Sequence, residues 1–430
     1  MIIDFINTRK IFISFFTFGL LNNILYVIIL SAAIDLVGSA TPKATVLLAD
    51  VVPSFAFKLT APFFIHMISY RTRIWSLVCL SSGGMLLISL SSPLAIAVKI
   101  LGIMLASFSS GMGEVSFLQL THYYGEEAIG GFSSGTGGAG LFGSFLFMLM
   151  TNILGMPAWL VLLVFAMTPA GFILTYFTFL PQPDSDQYQE LQSSIDDFEN
   201  DGTEIRAGEA GTEYDVAQAA LDLQSNDLKF SSATSLMSHI TYTFERIKPL
   251  IIPFMVPLTT VYFSEYVINQ GISPTLLFPL ETLPHWLFSS YRDIYVVYGF
   301  LYQLGVLISR SSATFGIRIR RLYLLSLLQG INVMITILQS LYDLPFYSIW
   351  PLLMLILYEG LLGGFAYVNT FISVGEQVPR AQREFSMGSV SISDSLGIVL
   401  AGLVNWWLET KLCNLQVDRG RDWCLKGGSV

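Results

Sequence analysis

Seven ionisable side chains lie inside stretches built otherwise from apolar residues: Asp50, Lys58, Glu114, Glu265, Arg310, Glu359 and Asp394. A charge in hydrocarbon costs roughly 2.5–3.5 kcal/mol or more, so such a group faces a cavity or a partner and marks a route for an ion, a proton or a polar solute. Lys58 and Arg310 would attract a phosphate or carboxylate. Glu114, Glu265, Glu359 and Asp394 would bind protons or a cationic amino acid. Asn22, Asn23 and Asn369 add amide groups to the same apolar stretches. Acids outnumber bases at depth, which suits proton binding in an acidic compartment. The sign of the solute stays open at this level. The plainer alternative for any single residue is structural: Lys58 would pair with one carboxylate simply to hold two helices together.

A second motif is rich in glycine. Gly131, Ser133 and Gly135 match a G-x-S-x-G nucleophile elbow, and Gly135, Gly137 and Gly140 match G-x-G-x-x-G. The elbow requires a strand–turn–helix setting with Asp and His partners, and the dinucleotide fingerprint requires a preceding strand and an acidic residue about 20 positions on. Neither context is present, so both readings fail. Gly131, Gly135, Ala139 and Gly143 recur every four residues, a small-residue stripe that lets another helix approach closely. An anion-binding alternative remains for Gly135, Gly137, Gly138 and Gly140, because a glycine-rich helix start presents free N–H groups. No zinc-protease, Walker or CxxC pattern occurs, and the four histidines form no ligand set. The reading is a non-enzyme without metal or cofactor.

The elements that must position these groups follow from composition. Of 430 residues, 53% are hydrophobic and 12% charged, about half the charge of a soluble domain. That excludes a disordered chain, a nucleic-acid binder and an ordinary cytosolic enzyme. It leaves a polytopic helical membrane protein, since hydrocarbon accepts only backbone that satisfies its own hydrogen bonds. A span needs about 20 apolar residues, which gives about eleven segments, near 11–34, 44–68, 74–91, 94–120, 132–153, 158–180, 249–271, 293–311, 321–340, 347–374 and 385–408. The expected organisation is a six-helix half (1–180), an acidic, disordered cytosolic loop (181–248), a five-helix half (249–408) and a short tail (409–430). The third, sixth and ninth segments carry no interior charge, as in two-half transporters where every third helix faces lipid. The net charge of −9 belongs to one place: 184–235 holds thirteen Asp/Glu against Arg206 and Lys229.

Lys/Arg bias orients the chain. With the N-terminus cytosolic, Arg9, Lys10, Arg71, Arg73, Arg246, Lys248, Arg310, Arg318, Arg320, Arg321, Arg380 and Arg383 fall on the cytosolic side, against Lys43, Lys99 and Arg292 opposite. The tail charges Lys411, Arg419, Arg421 and Lys426 run against that bias. Cys79, in an apolar run, reads as a small buried residue. Cys413 and Cys424 pair if the tail faces an oxidising lumen. No cleavable signal peptide is expected. Tyr188 to Leu191 has the shape of a sorting signal.

Taken together, ordered strings over nearly the full length resemble the battenin family: LLNN at 20–23, LSAA at 30–33, VLLAD at 46–50, SSGMGE at 109–114, SSGTGGAG at 133–140, VYFSEYVINQG at 261–271, SRSS at 309–312, LYEGLLGG at 357–364, YVNT at 367–370, REF at 383–385, ISD at 392–394 and LG at 396–397. The resemblance implies a major-facilitator-like fold in the lysosomal or vacuolar membrane. It implies links to organelle pH, to handling of basic amino acids such as arginine, and to export of glycerophosphodiesters. The family's acidic position in the seventh segment matches Glu265, and its glycine-rich stretch matches Gly135 to Gly140. The acidic loop and the tail resemble nothing family-wide, and no C-terminal prenylation box is present. The expected partners are the lipid bilayer, a small polar solute and protons, with no nucleic acid. The alternative is a non-transporting regulator of vacuolar pH, whose loop 181–248 docks a proton pump or sorting adaptors.

Overall fold

The computed structural model describes residues 2–32, 43–92, 95–181, 233–288, 290–421 and 423–424. Most of the acidic loop and the Tyr188–Leu191 string lie outside them. Among the described residues the regular structure is helical, with no strand. The α-helices are α1 (Ile2–Ser31), α2 (Lys43–Phe64), α3 (Tyr70–Leu90), α4 (Ile96–Leu120), α5 (Glu126–Met148), α6 (Ala158–Phe165), α7 (Ala170–Leu174), α8 (Ala233–Leu250), α9 (Val256–Tyr266), α10 (Tyr291–Arg310), α11 (Leu322–Tyr342), α12 (Ile349–Gln377), α13 (Arg380–Val390) and α14 (Ile392–Val417). π-helical turns extend α7 through Thr175–Phe179, join α8 to α9 at Ile251–Met255, and carry α9 on through Val267–Ile272.

Among the described residues, each of the expected apolar segments coincides largely with helix. Eight stretches among the described residues are long and apolar enough to cross a membrane by length and composition. Two segments outside that set spend their length otherwise: α5 on glycine and serine, and α10 on tyrosine and charge. Of the boundaries that differ from expectation, two change the expected organisation. Residues 233–248, read as loop, form α8, because Phe244 and Ile247 with Leu250 continue an apolar face backward from the span. The last helix runs past 408 to Val417.

Helices α1–α7 pack chiefly on one another as one group, as do α9–α12 and α14 in a second; α8 and α13, which belong to the second half of the chain and so to that second group, bridge to α2 and α4. In the first, α5 lies along α1, and α4 along α2 and α3; in the second, α10 lies along α12, and α9 along α14 and α11. The groups meet where α5 packs on α10 and α12, α2 on α14, and α13 on α4. The charge-free α11 is buried over 33% of its span, against 56% for α12, as expected of a helix that faces lipid. Cys79, expected to be buried, is exposed on α3, one turn after the exposed Trp75. Lipid is as apolar as a protein core, so an apolar run does not tell one from the other.

The two ends of the bundle differ. The end that gathers Arg71, Arg73, Arg246, Arg318, Arg380 and Arg383 is called the basic end below. There a single hydrophobic cluster spans both groups, taking Phe57, Leu118 and Phe132 from the first and Phe254, Phe371 and Met387 from the second. At the far end each group buries its own cluster: Ile28, Met85, Ile103 and Val161 in the first, Ile272, Phe288, Leu352 and Leu412 in the second. The tail closes onto the far end of the second group. Gln416 donates to the carbonyls of Thr275 and Ser340, Arg421 pairs with Asp343, Trp423 stacks on Tyr291, and Cys413 is bonded to Cys424.

Candidate functional site

Between the two groups runs a chain of buried polar contacts. Lys58, on α2 and 2% exposed, donates to both oxygens of Asp394 on α14 at 3.1 and 3.2 Å and to the hydroxyl of Ser395 at 2.8 Å. It also pairs with Glu114 Oε2 on α4 at 2.6 Å. One ammonium thus ties two carboxylates from opposite groups. Breaking such a pair by removing one partner leaves an uncompensated charge and costs about 3–5 kcal/mol. Asp394 is held in turn by the backbone N–H of Ser395 at 2.6 Å.

Tyr367 on α12 carries the chain onward. Its hydroxyl donates to Glu114 Oε1 at 3.1 Å, and its ring lies under the Arg310 guanidinium, 4.1 Å from the centroid. Arg310, the last residue of α10, donates to Thr136 Oγ1 on α5 and to the Tyr262 hydroxyl on α9, each at 2.6 Å. Its Nε is buried without a partner. Among the described residues Arg310 has no carboxylate within ion-pair distance; its direct contacts are two hydroxyls and a ring.

Glu265 and Glu359 form the remaining knot. Glu265, on α9 and 2% exposed, accepts from the Tyr302 hydroxyl on α10 and lies against Gly363 on α12. Glu359, one turn before Gly363 and 1% exposed, accepts from Asn269 Nδ2 at 2.9 Å. The same Nδ2 reaches the Glu265 carbonyl at 3.1 Å. Asn269 sits in the π-helical turn that follows α9, the irregularity often found where a helix re-aims a functional side chain. Glu265 Oε2 and Glu359 Oε2 are both buried without a partner.

The other sequence candidates lie apart from this chain. Asn22 donates to the Ser110 carbonyl at 3.1 Å and to Asn23, fastening α1 to α4 beside Gly113. Asp50 is buried with Oδ2 unpartnered, and its carbonyl accepts from Ser107. Asn369 accepts the backbone N–H of Ile319 at 2.8 Å and ties the turn before α11 to α12.

The glycine stretch is packing surface. α5 begins at Glu126, not near 132 as the apolar count suggested, so these glycines sit in the helix interior with their N–H groups in the helix ladder. The free-N–H premise of an anion site therefore does not hold for them. Gly135 lies against the Phe16 carbonyl of α1, where a Cβ would collide with backbone. Gly137, Gly138 and Gly140 face the other way, toward Arg310, Leu307 and Gln303 of α10. The stretch lets α1 and α10 approach opposite faces of α5 and brings Thr136 to Arg310.

Sequence reasoning missed Tyr262, Asn269, Tyr302 and Tyr367. A signal was present. Tyr262, Glu265 and Asn269 share one helical face by i, i+3, i+7 spacing, as do Glu359, Gly363 and Tyr367 by i, i+4, i+8. A third polar set closes the basic end. Glu384 on α13 accepts from the hydroxyls of Tyr70 at 2.7 Å and Tyr123 at 2.8 Å; nearby, buried Arg73 donates to Gln119 at 2.7 Å, and Arg246 lies over Phe385.

A model of the CLN3 protein family matches residues 13–415. Protein BTN1 of Candida albicans is 66% identical over 424 residues, covering 98% of this chain and 99% of that protein. Protein BTN1 of Saccharomyces cerevisiae is 48% identical over 425 residues, covering 97% and 98%. Among solved structures, a bacterial homologue of the iron transporter ferroportin, in an outward-facing state with soaked iron, superposes with a TM-score of 0.56 at 13% identity over 98% of this chain and 99% of that one. The human organic anion transporter MFSD10 superposes at 0.53 and 15% identity over 97% and 96%. The likeness is one of fold: a multi-pass helical bundle of the major-facilitator type.

Proposed function

Because the chain belongs to the CLN3 protein family, we propose that it is a transporter of the vacuolar or lysosomal membrane that moves a small polar solute by alternating access and contributes to vacuolar pH homeostasis. The observation that carries this reading is the unequal closure of the bundle. The two groups share a core and a tyrosine–carboxylate latch at the basic end, keep separate cores at the far end, and hold a buried polar chain between them. Rocking one group on the other would open the basic end and expose that chain to the other side. The moving bodies are then the expected halves 1–180 and 249–408, the second extended by α8 and by the end of α14.

Positive-inside bias puts the basic end, the N-terminus and the 181–248 loop in the cytosol. The Cys413–Cys424 bond suits a far end in an oxidising lumen. The solute is read from the charge left unspent. Lys58 is already held by two acids, whereas Arg310 presents a guanidinium without a carboxylate. A phosphodiester would exchange the hydroxyl contacts of Arg310 for charge-assisted ones, so a glycerophosphodiester is the first choice. A basic amino acid such as arginine, drawn to Glu265 and Glu359, is the other.

The test is flux. Purified protein in liposomes should take up a labelled glycerophosphodiester saturably, and Arg310→Ala should abolish that uptake while the protein stays monodisperse. Uptake of arginine alone would move the solute to the carboxylates, and movement of neither across sealed vesicles would overturn the transporter reading for both.

A further inference from the structure

Glu265 and Glu359 are two acids with no cation bonded to either. Their donors are a phenol, Tyr302, and an amide, Asn269. Each keeps one oxygen buried and unpartnered. Two anions cannot rest together in that setting, because burying a single unpaired carboxylate already costs several kcal/mol. Something positive must join them. A proton shared by the two acids supplies that charge without a further ligand.

The surroundings say what would move that proton. Around Glu265 stand Tyr262 and Tyr266 on α9 and Tyr302 and Arg310 on α10, with Asp394 and Glu114 beyond Tyr262; Tyr26 on α1 and Asn405 on α14 bond Tyr266, and Asp50 lies beyond Tyr26. Among the described residues, Arg310 is the cation in electrostatic reach of Glu265. Tyr262 bonds Arg310 from one turn before Glu265 on the same helix.

We propose that Glu265 and Glu359 are the proton site of this carrier, and that an anion arriving at Arg310 loads a proton onto the pair so that anion and proton cross together. The anion spends the guanidinium's charge and adds a negative charge beside Glu265; both changes favour the protonated carboxyl. The step is a plain proton transfer: one O–H bond forms on a carboxylate oxygen on the acidic side and breaks on the other side. Solute flow then follows the proton gradient. A cationic solute at the pair would instead expel the proton and run against it. The proposal rests on the transporter reading and fixes the sense of its coupling.

The experiment is a stoichiometry. The full-length protein is reconstituted with an entrapped pH dye, and protons and a radiolabelled, singly charged glycerophosphodiester are counted in the same vesicles. One co-transported proton per solute supports about tenfold accumulation for each unit of opposing pH gradient. The wild type should show one proton per solute and that accumulation on the alkaline side. Glu265→Gln and Glu359→Gln should drop the proton count to none, whatever flux remains, while Glu265→Asp and Glu359→Asp should keep it. An unchanged ratio in both Gln variants overturns the proposal, as does accumulation driven by sodium in place of protons.

A second readout stands apart from flux. Infrared difference spectra of the purified wild type across a pH titration should show a protonated-carboxyl C=O band that each Gln variant reduces. If the wild type moves no solute, the transporter reading fails, and this band alone decides the proton site: its presence and loss on substitution upholds the pair, and its insensitivity to both substitutions ends it.

Discussion

The bundle buries its acids in two ways. Around Lys58, one ammonium is bonded to Glu114 and Asp394, and the knot joins α2 and α4 to α14 across the divide. Around Glu265 and Glu359, neutral donors serve two carboxylates, and every ligand comes from the second group. The first arrangement is a clasp, with charge met by charge and both groups committed. The second leaves charge unmet within one group. A buried acid with its own cation stabilises a particular packing; a buried acid without one must take its compensation from something mobile.

The sharpest way to break this comparison is to remove the cation from the clasp. Lys58→Met should strand Glu114 and Asp394 and cost about 3–5 kcal/mol, read as a lowered thermal unfolding midpoint of the detergent-purified protein. Neutralising the acids as well, with Glu114→Gln and Asp394→Asn added, should recover most of the loss. Glu359→Gln should leave the midpoint unchanged or raise it, because it removes an unpaired charge. If Lys58→Met proves as mild as Glu359→Gln, the two sites do not differ in kind.

Arg310 stands between the two arrangements, and its substitution is the next largest effect expected. A lysine keeps the charge but cannot span Thr136 on α5 and Tyr262 on α9 with one flat fork. Arg310→Lys should lose at least one bond to a charged group, worth about 1.5–3 kcal/mol, or roughly ten- to a hundredfold in glycerophosphodiester flux. Flux at the wild-type level would remove Arg310 from the solute path.

Much of this was legible in residue types. Intramembrane charge flagged seven residues: Lys58, Glu114, Arg310 and Asp394 fall in the buried chain between the groups, Glu265 and Glu359 in the knot beside it within the second group, and Asp50 apart from both. Apolar length located the helices, and the four-residue glycine stripe announced the packing of α5 on α1. What stayed hidden was the distribution of charge. Nothing in one-dimensional spacing says that Lys58 takes both Glu114 and Asp394 while Arg310 takes hydroxyls, since these partners come from helices far apart in sequence. The tyrosines were hidden by their dual nature: an aromatic ring in a span reads as core or lipid contact until a hydroxyl is seen on a carboxylate. Asn22 and Asn369 are ambiguous for the converse reason. An amide at membrane depth also serves helix–helix and helix–turn contacts, and both make such contacts here.

A milder perturbation separates geometry from charge. α10 crosses α12 where Gly360 meets the Tyr302 carbonyl, with no room for a Cβ. Gly360→Ala should force the helices apart at the residue that holds Glu265, costing about 1–3 kcal/mol by overpacking. Gly299→Ala, on α10 with open space beside it, should instead stabilise by up to about 1 kcal/mol through helix propensity. Equal midpoints for the two variants would mean that the crossing tolerates a shift and does not fix the distance between the Glu265 and Glu359 helices.

The smallest effect concerns the latch at the basic end, which tests whether the clasp alone keeps the groups together. Glu384 accepts two phenolic hydroxyls, and bonds to an ionised acceptor are roughly twice as strong as neutral ones. Glu384→Gln keeps the shape and removes the charge, a loss of about 1 kcal/mol, which is roughly a fivefold shift toward a basic end that has let go. Ser386, buried two residues along on α13, is a suitable reporter once replaced by cysteine in a Cys79→Ser background. A membrane-impermeant maleimide should label that cysteine about fivefold faster when Glu384 is glutamine. Labelling that stays at the parent rate would assign closure of this end to the Lys58 clasp and the shared hydrophobic cluster, with Glu384 a bystander, because a contact that biases a two-state equilibrium cannot be weakened without moving it.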